Sequence, residues 1–225
     1  MKTSQFFVAA SLALASSLAW ANVQYTFYAS GVTERYSQQG MAVFSFSNDG
    51  GSLSITLTDT VDPTAAVLSS ITGLQFGLSS PSTGMSLVSV NATQVVDCTN
   101  SSSPCPAGSG SSPYGWGSMA AGSGFALGAG FDGSSFAYQP YGIVNANYAV
   151  SGGLGDPAVN PLLVGPVTFN FALTGLRFAP EVNSVVFAFG DPSFQASVPE
   201  PQSLALLAAG LLAAGWVSRR KYSHA

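Results

Sequence analysis

Histidine is all but missing from this 225-residue chain: the only one, His224, is the penultimate residue. Between Asn22 and Val198 there is no Lys either, and the basic residues are Arg35 and Arg177 alone. Nine acids (Glu34, Asp49, Asp59, Asp62, Asp97, Asp132, Asp156, Glu181, Asp191) leave that stretch at −7. An acidic surface without basic clusters repels phosphate backbones, so no nucleic-acid partner is expected. Without a histidine base, an acyl-transfer triad cannot be assembled. Zinc sites lack imidazole, and two cysteines are too few thiolates. The Gly-rich stretches at Gly122–Gly124 and Gly128–Gly130 lack the Lys-Ser/Thr pair of a phosphate-binding loop. Carboxylate pairs of the glycosidase type remain conceivable. Yet Asp49, Asp132, Asp156 and Asp191 each adjoin Gly or Pro and read as turn formers. The expectation is a protein that is not an enzyme, with no catalytic residues, metal site or cofactor. Whether Asp59, Asp62 and carbonyls near Pro63 hold calcium, the sequence leaves open.

The N-terminus reads as a leader. Lys2 is followed by an apolar run, Phe6 to Leu18, and then by Ala19-Trp20-Ala21. That small-x-small pattern, with Ala19 and Ala21, is what signal peptidase cleaves after, so residues 1–21 are expected to be a signal peptide. Cys98 and Cys105 then lie in an exported, oxidising setting, close together in a polar stretch. They are expected to form a disulfide. Closing so short a loop removes about 2.5 kcal/mol of unfolded-chain entropy.

The C-terminus is organised differently. Val198-Pro199-Glu200-Pro201 precedes an apolar run from about Ser203 to Val217, and Arg219-Arg220-Lys221 follow at once. The two prolines end any strand and favour extended backbone. Leu and Ala beyond them favour helix. Fifteen to seventeen residues span about 22–25 Å as a helix, short of the roughly 30 Å hydrocarbon core. The run has no polar face, which argues against a soluble core helix. Its basic end supplies an interfacial anchor and implies a cytoplasmic C-terminus. Over residues 198–222, this order of motif, helix and basic tail resembles the PEP-CTERM sorting domain of Gram-negative bacteria. The resemblance implies recognition at Pro199, Glu200 and Pro201 by exosortase, a membrane-embedded protease that removes the tail helix. It implies transient anchoring in the inner membrane and release to the cell surface.

Residues 22–197 read as an all-β exported domain. Met41–Ser47 and Ser52–Thr58 flank Asn48-Asp49-Gly50-Gly51, and Asp-Gly suggests a type I′ turn with positive φ at Asp49 and Gly50. Counting outward pairs Ser47 with Ser52, Phe46 with Leu53, Phe44 with Ile55 and Ala42 with Leu57, with Ser and Thr facing out. Leu74, Phe76 and Leu78 share a period of two, as do Val167 to Leu173 and Val185 to Phe189. Weaker strand candidates are 23–28, 86–96 and 141–150. Gly/Pro/Ser turns between strands suggest an antiparallel β-sandwich or jelly roll. Residues 99–124 read as a Gly/Ser-rich surface loop held by the disulfide.

These features predict a structural surface or extracellular-matrix protein associated with exopolysaccharide or biofilm, with extracellular polysaccharide as a candidate partner. The alternative is a carbohydrate-binding module whose exposed Tyr and Trp stack on sugar rings; the middle segment carries Tyr114, Trp116, Tyr138, Tyr141 and Tyr148.

Overall fold

A computed structural model describes residues 23–32, 37–61, 69–80, 84–99, 105–121, 124–129, 140–148, 154, 156–190 and 195–197. The expected leader helix (1–21) and membrane helix (203–217) lie outside these residues. Among the described residues no helix is long and apolar enough to cross a membrane.

The fold is all-β. Its strands are β1 (Val23–Val32), β2 (Ser37–Phe46), β3 (Ser52–Asp59), β4 (Ile71–Leu78), β5 (Gly84–Val96), β6 (Trp116–Ala121), β7 (Gly124–Ala129), β8 (Ile143–Val144), β9 (Leu162–Thr174), β10 (Val182–Phe189) and β11 (Gln195–Ser197). Two ladders make up one hydrogen-bonded sheet. The first runs β1-β2-β3-β9-β5 and the second β6-β7-β4-β10-β11. The two-residue β8 joins them: Ile143 pairs with Ile71 of β4 and with Leu163 of β9. The β8–β9 pairing is parallel, so the sheet is mixed and not wholly antiparallel as expected. Seventeen residues, 145–161, separate β8 from β9, a connection long enough to return the chain for parallel pairing, which a tight hairpin could not do.

The β2–β3 hairpin has the register expected from its sequence: Phe46 faces Leu53, Phe44 faces Ile55, and Ala42 faces Leu57. All six are buried, while Ser45, Ser54 and Thr56 between them are half-buried on the other face. The same alternation continues through Val167, Phe169, Phe171 and Leu173 of β9. Because the period is two, one register slip would expose this whole apolar set. The two ladders meet through aromatic contacts. Phe44 of β2 lies 5.1 Å from Phe76 of β4, and Trp116 of β6 lies 4.6 Å from Phe169 of β9.

Four expectations need correction. The turn is not type I′: Gly50 has φ +70°, but Asp49 does not enter positive φ. The Gly50 amide donates to the Ser47 carbonyl at 2.9 Å, and Asp49 Oδ1 accepts from Ser47 Oγ and from the Gly51 amide. The Asp side chain therefore closes the loop, and only glycine needs the left-handed region. Second, residues 99–124 are not one loop, since 116–121 form β6 and Gly124 opens β7. Ser118 pairs with Leu127, and Trp116 and Leu127 are buried. Third, of the expected strand 141–150, the described residues 141–148 are strand only at Ile143–Val144, and 145–148 form a turn in which Asn145 Oδ1 accepts from the Asn147 amide. Fourth, Ser54, expected to face out, is half-buried and hydrogen-bonded across the sheet. Ser54 Oγ donates to Asn170 Oδ1 at 2.7 Å, and Asn170 Nδ2 donates to Ser89 Oγ at 3.0 Å. This polar ladder crosses β3, β9 and β5.

Candidate functional site

The strand directions sort the loops into two ends. Val23 of β1 pairs with Phe46, next to the 47–52 turn. That turn adjoins the end of β9, because the Leu173 amide donates to the Gly51 carbonyl. The 175–181 connection follows, and the carbonyl of Phe178 would lie 2.7 Å from a Cβ on Gly50. Ser79, just beyond β4, donates its amide to the Glu181 carbonyl. The domain thus begins, turns and reconnects at one end, which carries exposed Asp49, Arg177, Phe178 and Glu181. Tyr25 of β1 belongs to the same end. Partial burial, and then the negative charge of Glu181, push its phenol above the ordinary tyrosine value.

The C-terminal strand points toward this end as well. β11 runs antiparallel to β10, with Gln195 opposite Ala188 and Ser197 opposite Val186. β10 itself starts at Val182 beside Glu181, so the chain leaving Ser197 heads toward Glu181. β11 is an edge strand hydrogen-bonded only to β10 among the described residues, with β1 alongside.

The opposite end holds the disulfide. Cys98 and Cys105 are bonded and buried, in a small second core with Val96, Val144, Leu154, Val159, Leu162 and Val164. Asn160 organises it: its Oδ1 accepts from the Cys98 amide at 2.8 Å, and its Nδ2 donates to the carbonyls of Leu154 and Asp156. The backbone between the cysteines and β6 folds back on β5. The Asp97 amide donates to the Pro106 carbonyl, and the Gly108 amide to the Val95 carbonyl.

The described candidate stacking aromatics are packed at this end, and Tyr138 lies outside the described residues. Trp116 is 2% exposed, and its indole N–H donates to the Tyr141 carbonyl at 3.0 Å. Tyr114 and Tyr141 are half-buried with rings 6.0 Å apart, inclined by 43°. Both have positive φ, 52° and 66°, a conformation costing about 1–2 kcal/mol for a side-chain-bearing residue. Gly110 sits against both rings; a Cβ there would lie 2.9 Å from Tyr141 and 3.1 Å from Tyr114. Rings used this way hold loops together and offer no coplanar platform. Trp116 is therefore not the exposed stacking residue that its sequence setting suggested.

Among the described residues no three His, Cys, Asp or Glu side chains cluster to hold a metal. Asp59 ends β3 buried, with Oδ1 accepting from the Val61 amide at 2.9 Å; Asp62 lies outside the described residues. Asp49, Asp97 and Asp156 all cap local turns through backbone amides, at Gly51, Thr99 and Ala158. Asp132 and Asp191 lie outside the described residues. A shallow depression of about 220 Å³ on β4, β7 and β10 is lined by Gln75, Phe76, Gly77, Gly124, Phe125, Ser184 and Val186, without a titratable group.

Ala19, Ala21, Val198, Pro199, Glu200, Pro201, Arg219, Arg220 and Lys221 lie outside the described residues, so the structure places only the strand that leads into the C-terminal group. Sequence comparison covers that group: residues 197–221 match the family model of the PEP-CTERM protein-sorting motif. The match starts at Ser197, the last residue of β11. No curated protein matches the chain, and no solved structure does.

Proposed function

From a chain that carries a PEP-CTERM protein-sorting motif, and is thereby marked for membrane passage, exosortase processing and export, we propose the following course. Signal peptidase removes residues 1–21, and the tail helix holds the protein in the inner membrane with its C-terminus in the cytoplasm. Exosortase then acts at Val198–Pro201 and delivers a face-to-face β-sandwich to the cell surface or matrix. There the domain has a structural, non-enzymatic role beside exopolysaccharide. The motif match over 197–221 carries this reading. The structural role is supported by the burial of Trp116 and the inclined Tyr114–Tyr141 pair, which leave a sugar-stacking site without its strongest rings. It is also supported by Asp49, Asp97 and Asp156, whose carboxylates each accept the amide of a local turn.

The test is pulse-labelling of the chain in cells with and without exosortase. Wild type should mature, whereas Pro199→Ala/Glu200→Ala/Pro201→Ala should persist as membrane-bound precursor in both. Maturation of the triple variant at the normal rate would overturn the processing role of the motif. Loss of the mature domain from the extracellular matrix fraction after enzymatic removal of exopolysaccharide would support the association. Unchanged retention would count against it.

A further inference from the structure

Among the described residues the large apolar side chains left exposed are Tyr28, Val88, Met119 and Phe178, and of these only Phe178 stands at the end where β1 begins and toward which β11 runs. It is 64% exposed. Its neighbour Arg177 is the only Lys or Arg among the described residues. The length of the remaining chain says what meets this end. Ser197 lies opposite Val186, five residues along β10 from Glu181, or about 16 Å. Six residue steps link Ser197 to Ser203, where the apolar run begins, and reach about 20–22 Å at most. Pro199 and Pro201 favour extended backbone. The run from Ser203 can enter a bilayer along this path only when the Glu181 end is at the bilayer surface.

We propose that, while the tail is embedded, the domain stands on the membrane on this end, with Phe178 in the headgroup layer and Arg177 against a lipid phosphate. The proposal rests on the sorting-tail reading above. An aromatic ring beside a cation suits the interface, where the ring is dry and the guanidinium meets phosphate oxygens. The two exposed acids at the same end, Asp49 and Glu181, oppose binding to anionic lipid. The contact is therefore weak by itself and exists through the tether, which raises the local concentration of the surface. Removal of the tail by exosortase ends both together. In this arrangement the disulfide-bonded end points away from the membrane.

The experiment uses the uncleaved protein from cells lacking exosortase, reconstituted into phosphatidylethanolamine–phosphatidylglycerol vesicles without other protein. Phe178→Cys and, at the opposite end, exposed Thr60→Cys each receive a nitroxide; the native cysteines are already bonded. The apolar nitroxide ring at 178 stands in for the phenyl ring. The proposal expects that label to be several-fold more accessible to oxygen than to a water-soluble nickel chelate, relative to the label at 60. Adding Arg177→Ser should reduce the difference. Two labels with equal, water-like accessibility on vesicles that carry the protein in flotation would overturn the proposal and leave the tail reading intact. Protein that fails to float would overturn the tail reading and the proposal with it. Spin–spin broadening at 178 that vanishes on dilution with unlabelled protein would assign this end to a second copy instead, and overturn it as well.

Discussion

Gly40 of β2 lies against the ring of Phe187 of β10: a Cβ at Gly40 would sit 3.0 Å from the ring's Cδ1 and Cε1, and 3.2 Å from Ile71 Cδ1. Here a residue of the first ladder lies against two of the second without a side chain between them. Gly40→Ala should therefore destabilise the fold by about 1–3 kcal/mol through overpacking. Phe187→Leu alone should also destabilise, by loss of buried ring contacts. In the double variant the two costs should add to less than their sum, because the smaller side chain makes room for the methyl. Denaturant unfolding of the four proteins gives the coupling. Strict additivity would mean that the close approach relaxes freely.

The hairpin tests the period of two. Ile55→Ala deletes fully buried methyl groups facing Phe44 and should cost about 2–5 kcal/mol. Ser54→Ala, one residue along, loses a half-buried hydrogen bond to Asn170 and should cost about 0.5–1.5 kcal/mol. Equal losses for the two variants in chemical denaturation would contradict the observed faces.

Much of the first ladder is legible in the sequence because two independent signals agree there. Apolar residues alternate through β2, β3 and β9, and Asn48-Asp49-Gly50-Gly51 fixes which residues oppose each other. The second ladder is built from quieter material. In β6 and β7, Gly117, Ser118, Ala120, Ala126 and Gly128 make strand without an apolar stripe, and the pairing of Gly73, Gly128 and Gly117 across three strands has no local signature. β8 is two buried residues with no alternation to show. The disulfide was legible from spacing and the sorting tail from the order of its parts. The membrane-facing end was not, because Arg177 and Phe178 gain meaning only when the 47–52 turn, the start of β1 and the direction of β11 fall together.

At the hairpin tip, pH should act through Asp49. The Ser47 hydroxyl, and then the Gly51 amide, hold its carboxyl below the ordinary aspartate value. A carboxylate with a depressed folded pKa contributes stability that is complete above the unfolded value and lost as pH falls through the folded one. The tip should accordingly loosen below about pH 4. The Gly51 amide resonance, followed by NMR, should titrate in that window in the wild type and stay flat in Asp49→Ala. A Gly51 titration surviving in the variant would assign the effect to another group.

The disulfide should matter for the far end more than for the whole. Cys98 and Cys105 belong to the small second core, joined to the main one through Val96 and the start of β9. Reduction should remove about 2.5 kcal/mol of constraint. The first amides to gain hydrogen exchange should be Asp97 and Gly108, whose bonds to Pro106 and Val95 close that end, while the β2–β3 amides keep their protection. Simultaneous loss of protection at both places would show that the two cores unfold as one unit. Peptide mapping without reduction should recover the linked fragment, and two free thiols in exported material would dismiss the premise.

Deletions at the C-terminus should separate folding from sorting. Removing 198–225 keeps the described span of β11, whose last paired residue among the described residues is Ser197. That truncated protein should be secreted with the circular dichroism of the mature domain. Removing 195–225 also strips β11 from β10 and opens a new edge next to β1. An uncovered strand edge offers unpaired amides and carbonyls to other chains. The longer deletion should therefore raise self-association at equal concentration, measured by sedimentation, with little change in strand content. If instead the shorter deletion already fails to fold, residues beyond Ser197 are part of the domain. If the longer one stays as monomeric as the shorter, β11 does not protect the edge it covers.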